Sequence, residues 1–135
     1  VRVFLDTNVL VAAFATRGLC ADVLRHVLAE HELLLSDQVL SELKRTLRDK
    51  IRLPPAEIEN VVALLAHQTV VATPREPLTG LRLADADDVR ILTAALAARA
   101  DVFVTGDAEV LALGQAASLA IRSPREFWSL ARSGG

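Results

Sequence analysis

The chain has a single cysteine, Cys20, in 135 residues, so no intrachain disulfide can form and no cysteine-rich zinc site can be built. It has no tyrosine, one tryptophan and four phenylalanines, which leaves few of the aromatic platforms on which single-stranded bases stack. Hydrophobic residues make up 52% of it, yet no apolar run approaches the roughly 18 residues of a membrane span. A soluble protein is therefore expected. The opening Val1-Arg2-Val3-Phe4-Leu5 is too short for a signal peptide's hydrophobic region and cleavage site, and a cytoplasmic protein is expected. Repeats, linkers and low-complexity tracts are also missing. One domain over residues 1–135 fits the length. The apolar surplus fits either a large core or an interface, and on the second reading the chain is a homodimer.

A net charge of -2 is a poor match for a protein that grips phosphates. Setting aside the four carboxylates singled out below leaves 13 acids against 15 bases, a remainder of +2. Thirteen of those bases are arginines, which suits phosphate forks but is equally what a GC-rich genome encodes.

Strand-length apolar runs fall at 2–5, 33–35, 69–72, 102–105 and 119–121, with helical spacing between them at about 19–31, 37–51, 55–67, 86–99 and 108–113. Nearly continuous apolar strands alternating with helices predict a parallel sheet covered on both faces. Ser36 and Asp85 are placed to cap helices, and Pro54-Pro55 suits a first helical turn. Residues 73–83, with Pro74, Pro77 and Gly80, form a loop.

Asp6 directly follows the first strand, and Asp107 follows the fourth after one glycine. Ligands of open parallel sheets gather outside such carboxyl ends, where the strand order reverses. A lone aspartate at a strand end commonly just turns the chain, but two at once favour a cleft. At about 100° per residue, Ile91, Leu92, Ala95 and Leu96 form a buried stripe with Asp88 near its middle, whereas Asp87 turns away. A carboxylate on that stripe needs a cation or a donor. First-turn placement at the helix dipole accounts for Asp85 and Asp87 but not for the facing of Asp88. Glu42 only flanks its stripe of Val39, Leu40, Leu43 and Leu47; spacing alone makes it a solvated residue that could pair with Arg45. His26 and His31, five apart, do not share a helix face, and all three histidines read as structural or solvated.

The run Val3-Phe4-Leu5-Asp6-Thr7-Asn8-Val9-Leu10 resembles the first strand of the PIN domain, an apolar run followed by Asp-Thr-Asn. Ser36 to Leu43, with Glu42, resembles that family's second acidic motif, and Asp85-Ala86-Asp87-Asp88 its third. Val102-Phe103-Val104-Thr105-Gly106-Asp107 resembles the fourth, and Pro124-Arg125-Glu126-Phe127 is similar to the closing segment of a bacterial toxin-like branch. The match runs in order over nearly the whole chain. It implies a doubly wound α/β fold with a parallel five-stranded sheet, order 3-2-1-4-5, and helices on both faces. It also implies a Mg2+- or Mn2+-dependent endoribonuclease, often the toxin of a toxin-antitoxin pair, with Asp6, Glu42, Asp88 and Asp107 as catalytic metal ligands. RNA and an antitoxin polypeptide are the expected partners. Val89 departs from the pattern, which often has a polar residue there.

Carboxylates suit hard cations, and such ions activate water and stabilise a leaving oxygen without a protein nucleophile. Asn8 and Thr105 in the motifs, and Lys44, Arg45 and Arg48 in a basic run that continues to Lys50 and Arg52, are candidate substrate-binding residues. A solvated helix face explains that basic run as well. Phosphotransfer domains on similar sheets usually place a lysine near the acids, and neither Lys44 nor Lys50 follows a strand. The remaining alternative is a catalytically silent RNA-binding or scaffold module of the same fold.

Overall fold

A computed structural model describes residues 1–133; the last two residues of the domain expected over 1–135 lie outside the described residues. Strands β1 (Arg2–Leu5), β2 (Glu32–Ser36), β3 (Thr69–Val71), β4 (Val102–Val104), β5 (Gln115–Ala116) and β6 (Leu119–Arg122) form one sheet in the order β3-β2-β1-β4-β6-β5. Every pairing is parallel except that of β5 with β6. The five parallel strands thus stand in the expected order, and the difference is a sixth. Two residues are too few to show as an apolar run; β5 exists because Ala117, at φ 53°, folds the chain back into a tight hairpin.

Val3, Phe4 and Leu5 are fully buried in succession, as are Leu34 and Leu35. Neighbouring strand residues point to opposite faces, so both faces must be covered. Helices α1 (Thr7–Ala15), α2 (Leu19–Glu30), α3 (Asp37–Thr46) and α4 (Pro55–Ala66) lie in the two crossovers leading outward to β3. The return from β3 to β4 carries α5 (Ala86–Ala97), and α6 (Ala108–Leu111) lies in the step toward β6. Right-handed crossovers running in opposite directions put these two groups on opposite faces. The chain reverses direction between β1 and β4. Phe4 and Phe103 stack there with centroids 5.3 Å apart, two residues below the site on β1; truncating either to alanine costs about 3–5 kcal/mol.

Caps form where expected. Ser36 Oγ accepts from the Val39 N–H at 3.2 Å, Asp85 accepts from the Asp87 N–H at 2.8 Å, and Pro55 opens α4. The helix expected over 37–51 is regular only to Thr46 and continues as a π-helical turn, Leu47–Ile51, closed by Arg52 at φ 60°. Two helices escaped the periodicity reading. One is α1; the other is α7 (Pro124–Ser133), where Ser123 Oγ accepts from the Glu126 N–H and the Glu126 carboxylate accepts from the Ser123 N–H, a reciprocal capping box.

The helix expected over 19–31 ends at Glu30, and this brings His26 and His31 together. His31 lies just beyond α2 in extended backbone, and its ring returns to His26 with Nε2 to Nε2 at 3.3 Å. A helix-face argument does not apply to a residue outside the helix.

Candidate active site

Asp6 extends β1 by one backbone bond, donating its N–H to the Val104 carbonyl at 3.0 Å, and its own carbonyl accepts the first bonds of α1. Its side chain is almost fully buried. Oδ1 accepts from the Thr7 N–H at 2.8 Å; Oδ2 accepts from Thr105 Oγ1 at 2.8 Å and from Asn8 Nδ2 at 3.1 Å. Burial raises the Asp6 pKa above the ordinary aspartate value, with the negative charge of Glu42 adding to it, while the three donors pull the other way.

The rest of the Asp-Thr-Asn motif acts through these bonds. Thr7 Oγ1 donates to Glu42 Oε2 at 2.9 Å, so the residue after Asp6 draws the α3 glutamate toward it. Gln38 Nε2 adds a longer bond to Glu42 at 3.4 Å. Glu42 thus has partners on α1 and α3, not Arg45. Asn8 reaches the other way: its Oδ1 accepts from the Gly106 N–H at 2.8 Å, tying α1 to the loop after β4. A Cβ on Gly106 would sit 3.2 Å from that same oxygen, so the close approach favours glycine. Thr105, fully buried, donates to Asp6 and accepts from the Asp107 N–H at 3.0 Å. Asn8 and Thr105, expected to bind substrate, are engaged in holding the acids.

Asp107 caps α6, one oxygen accepting from the Glu109 and Val110 N–H groups at 2.8 and 3.3 Å, and its other oxygen takes no part in the cap. Asp88 is half-buried and its pKa is pushed up to about 7. Desolvation is the first cause, followed by the negative charges of Asp107, Asp85, Asp6 and Glu109. The four expected acids therefore form one electrostatic chain, Glu42 to Asp6 to Asp88 to Asp107. A cleft of about 550 Å³ is lined by Asp6, Glu42 and Asp88, with Asp85 and Asp87 at its side and Val11, Ala12 and Ile51 as an apolar wall; Asp107 is not among the residues lining it.

The stripe on α5 differs from its expected form: Leu96 is only half-buried, while Thr93 and Ala94 are buried. Asp87 is exposed and ion-paired to Arg90 at 2.8 Å. Of the basic run, Arg45 lines a second groove of about 520 Å³ that shares Glu42 and Asp87 with the cleft and includes Arg90. Arg48 is paired with Asp49 at 2.7 Å, and Lys44 is exposed on α3 and lines neither groove. The residues that sequence reasoning gave no role are Thr7, which holds Glu42, Arg90, which pairs with Asp87, and Glu109, whose charge acts on Asp88. Thr7 was in view within the motif, but its partner is 35 residues away.

The donor set fits a hard divalent cation. Asp6 and Asp88 are held in a setting that penalises bare negative charge, and every acid in the cleft offers oxygen. Among the described residues no three such side chains already converge as a cage. Mg2+ does not require one, since it keeps several waters and takes one or two carboxylates directly.

Residues 2–109 match the family model described as PIN domain. No curated protein sequence gives a significant match. One chain of the crystal structure of VapBC2 from Rickettsia felis bound to a DNA fragment from their promoter has a similar fold, with a TM-score of 0.68 at 18% identity, covering 91% of this chain and 98% of that one. With the family model spanning β1 through the start of α6, and with it all four acids, the chain belongs to the PIN-domain family.

Proposed function

We propose that the chain is a Mg2+- or Mn2+-dependent endoribonuclease and acts as the toxin of a toxin-antitoxin pair. The observation that carries the reading is Asp88, raised to about 7 by burial and by the other acids: a carboxyl group in that state gains most from a bound cation. Asp6, Glu42, Asp88 and Asp107 would hold the ions, which when bound supply activated water and neutralise charge on the scissile phosphate.

The protein's own contribution is positional. Thr105 and Asn8 fix the Asp6 carboxylate, Thr7 orients Glu42, and the cap on α6 aims Asp107. Arg45 lines the neighbouring groove and offers its guanidinium to an RNA backbone leaving the acids, while Arg90 in the same groove is paired with Asp87. The VapBC2 likeness supports an antitoxin polypeptide as partner, and a cytoplasmic setting belongs to the same proposal. Exposed Leu64 on α4 and Leu130 on α7 offer apolar surface for that partner or for a second copy in a homodimer.

Cleavage of single-stranded and structured RNA by purified protein tests this. Wild type is expected to cut with Mg2+ or Mn2+ and to stop in EDTA, while Asp88→Asn and Asp107→Asn, purified identically, do not cut. Variants as active as wild type would assign the activity to a contaminant and leave a non-cutting RNA-binding or scaffold module.

A further inference from the structure

We propose that His26 and His31 form a second metal site, separate from the carboxylate cleft, which takes a first-row transition ion such as Zn2+ or Cu2+ through their facing Nε2 atoms. His26 lies in the last turns of α2 and His31 follows its end, where extended backbone at φ -135° swings the ring back. The two Nε2 atoms stand 3.3 Å apart, with ring centroids at 5.1 Å and planes crossing at 67°. Two metal–nitrogen bonds of about 2.05 Å meeting near the tetrahedral angle place the nitrogens about 3.3 Å apart and the ring centres about 5.2 Å apart. Both separations therefore match those of a chelate. In the absence of an ion, the same spacing lets one neutral ring donate its N–H to the other; the ion takes the place of that proton, which passes through water to Nδ1 of the donor ring, so that both rings bind as neutral imidazoles.

The rings are also held. His26 packs edge-on against Phe127 and Trp128 of α7, and His31 against Phe127. A cavity of about 540 Å³ opens beside them, with Glu30 on its lining, and gives water access to the remaining coordination positions. Among the described residues no third ligand closes the site, so it is an open one. Chemistry separates it from the acids, because imidazole selects zinc, copper and nickel, whereas carboxylate and water select magnesium. So does distance: His31 precedes β2 at the amino end of the parallel sheet, level with Val1, and Asp6 follows β1 at the carboxyl end, five residues or about 17 Å further along the strand direction.

The test is a Cu2+ titration of tag-free protein in millimolar Mg2+, followed by electron paramagnetic resonance, with circular dichroism confirming the fold of each variant. One equivalent of Cu2+ is expected, with hyperfine splitting from two nitrogens, in wild type, His67→Gln and Asp88→Asn alike. His26→Gln and His31→Gln should each lose one nitrogen and bind at least about tenfold more weakly. If one of the two fails to fold, the other decides. Wild-type affinity in a folded His26 or His31 variant, or loss of the signal in Asp88→Asn, would overturn the assignment.

Discussion

Replacing Asp88 with asparagine removes a carboxyl group whose pKa stands at about 7 in the folded protein against 3.8 ordinarily. Between those two pH values the folded chain binds the proton and the unfolded chain does not. Stability is therefore undiminished by this group below 3.8 and is lost as pH rises through 7. Converted in full, the shift amounts to about 4 kcal/mol, but water screens a half-buried carboxylate and leaves roughly 1–2 kcal/mol. Losing a negative charge from the first turn of α5 offsets about 0.3–1 kcal/mol of that gain. In EDTA at pH 8 the variant should thus be about 1 kcal/mol more stable, raising Tm by about 4 °C for a domain of this size, and the gap should narrow as pH falls toward 4. Adding Mg2+ or Mn2+ reverses the ranking. At a hundredfold excess over Kd the wild type gains about 2.7 kcal/mol, and a variant short of a ligand gains far less. Thermal melts at pH 5, 6.5 and 8, with and without metal, would refute this if Asp88→Asn melted below wild type at pH 8 in EDTA, or rose equally with metal.

Asp6→Asn should behave differently, although crowded acids alone suggest that it melts no lower than wild type. Its new amide would face the Asn8 amide, which cannot turn because its oxygen holds the Gly106 N–H; a loss of about 1–3 kcal/mol in EDTA is expected alongside lost cleavage, read by melting and RNA assay. Thr7→Val keeps the shape of α1 but frees Glu42, and should weaken metal binding about 10- to 100-fold by calorimetry with little change in Tm; unchanged affinity would show that Glu42 needs no support. Arg45→Ala should raise KM, leave kcat near wild type and lower the salt dependence of RNA binding by about 0.7 of a charge; equal salt slopes would remove Arg45 from the RNA path.

The parts of this protein visible in its sequence are those carried by neighbouring residues. Asp6 and Asp107 stood out because each ends an apolar strand, and Asp88 because helical phase separates it from Asp87 one residue away. Glu42 did not, since what orients it is Thr7 on another helix, and only the family pattern pointed to it. Helix α1 was hidden by being apolar almost throughout: Val9 to Ala15 has no polar face to set a period. Helix α7 lies outside the expected helical stretches although Ser123 and Glu126 have the spacing of a capping box. The π-helical turn after Thr46 preserves the apolar spacing, so it reads as plain helix. The meeting of His26 and His31 is invisible to helical spacing, because α2 ends at Glu30 and His31 lies in extended backbone.

The bond from Thr105 to Asp6 joins residues 99 positions apart, because β1 finds β4 only after three-quarters of the chain has been made. Loop closure of that length comes late in folding. A ribosome releasing this chain therefore holds an incomplete nuclease until β4 has emerged: Asp6 and Glu42 are present, but the strand that positions Asp107 and presents Thr105 to Asp6 is not. Fragments cut by proteases in the loop over residues 73–83 would be inert for the same reason. On the proposed function, cleavage activity would accordingly read out the whole fold, because it needs this long-range strand pair closed.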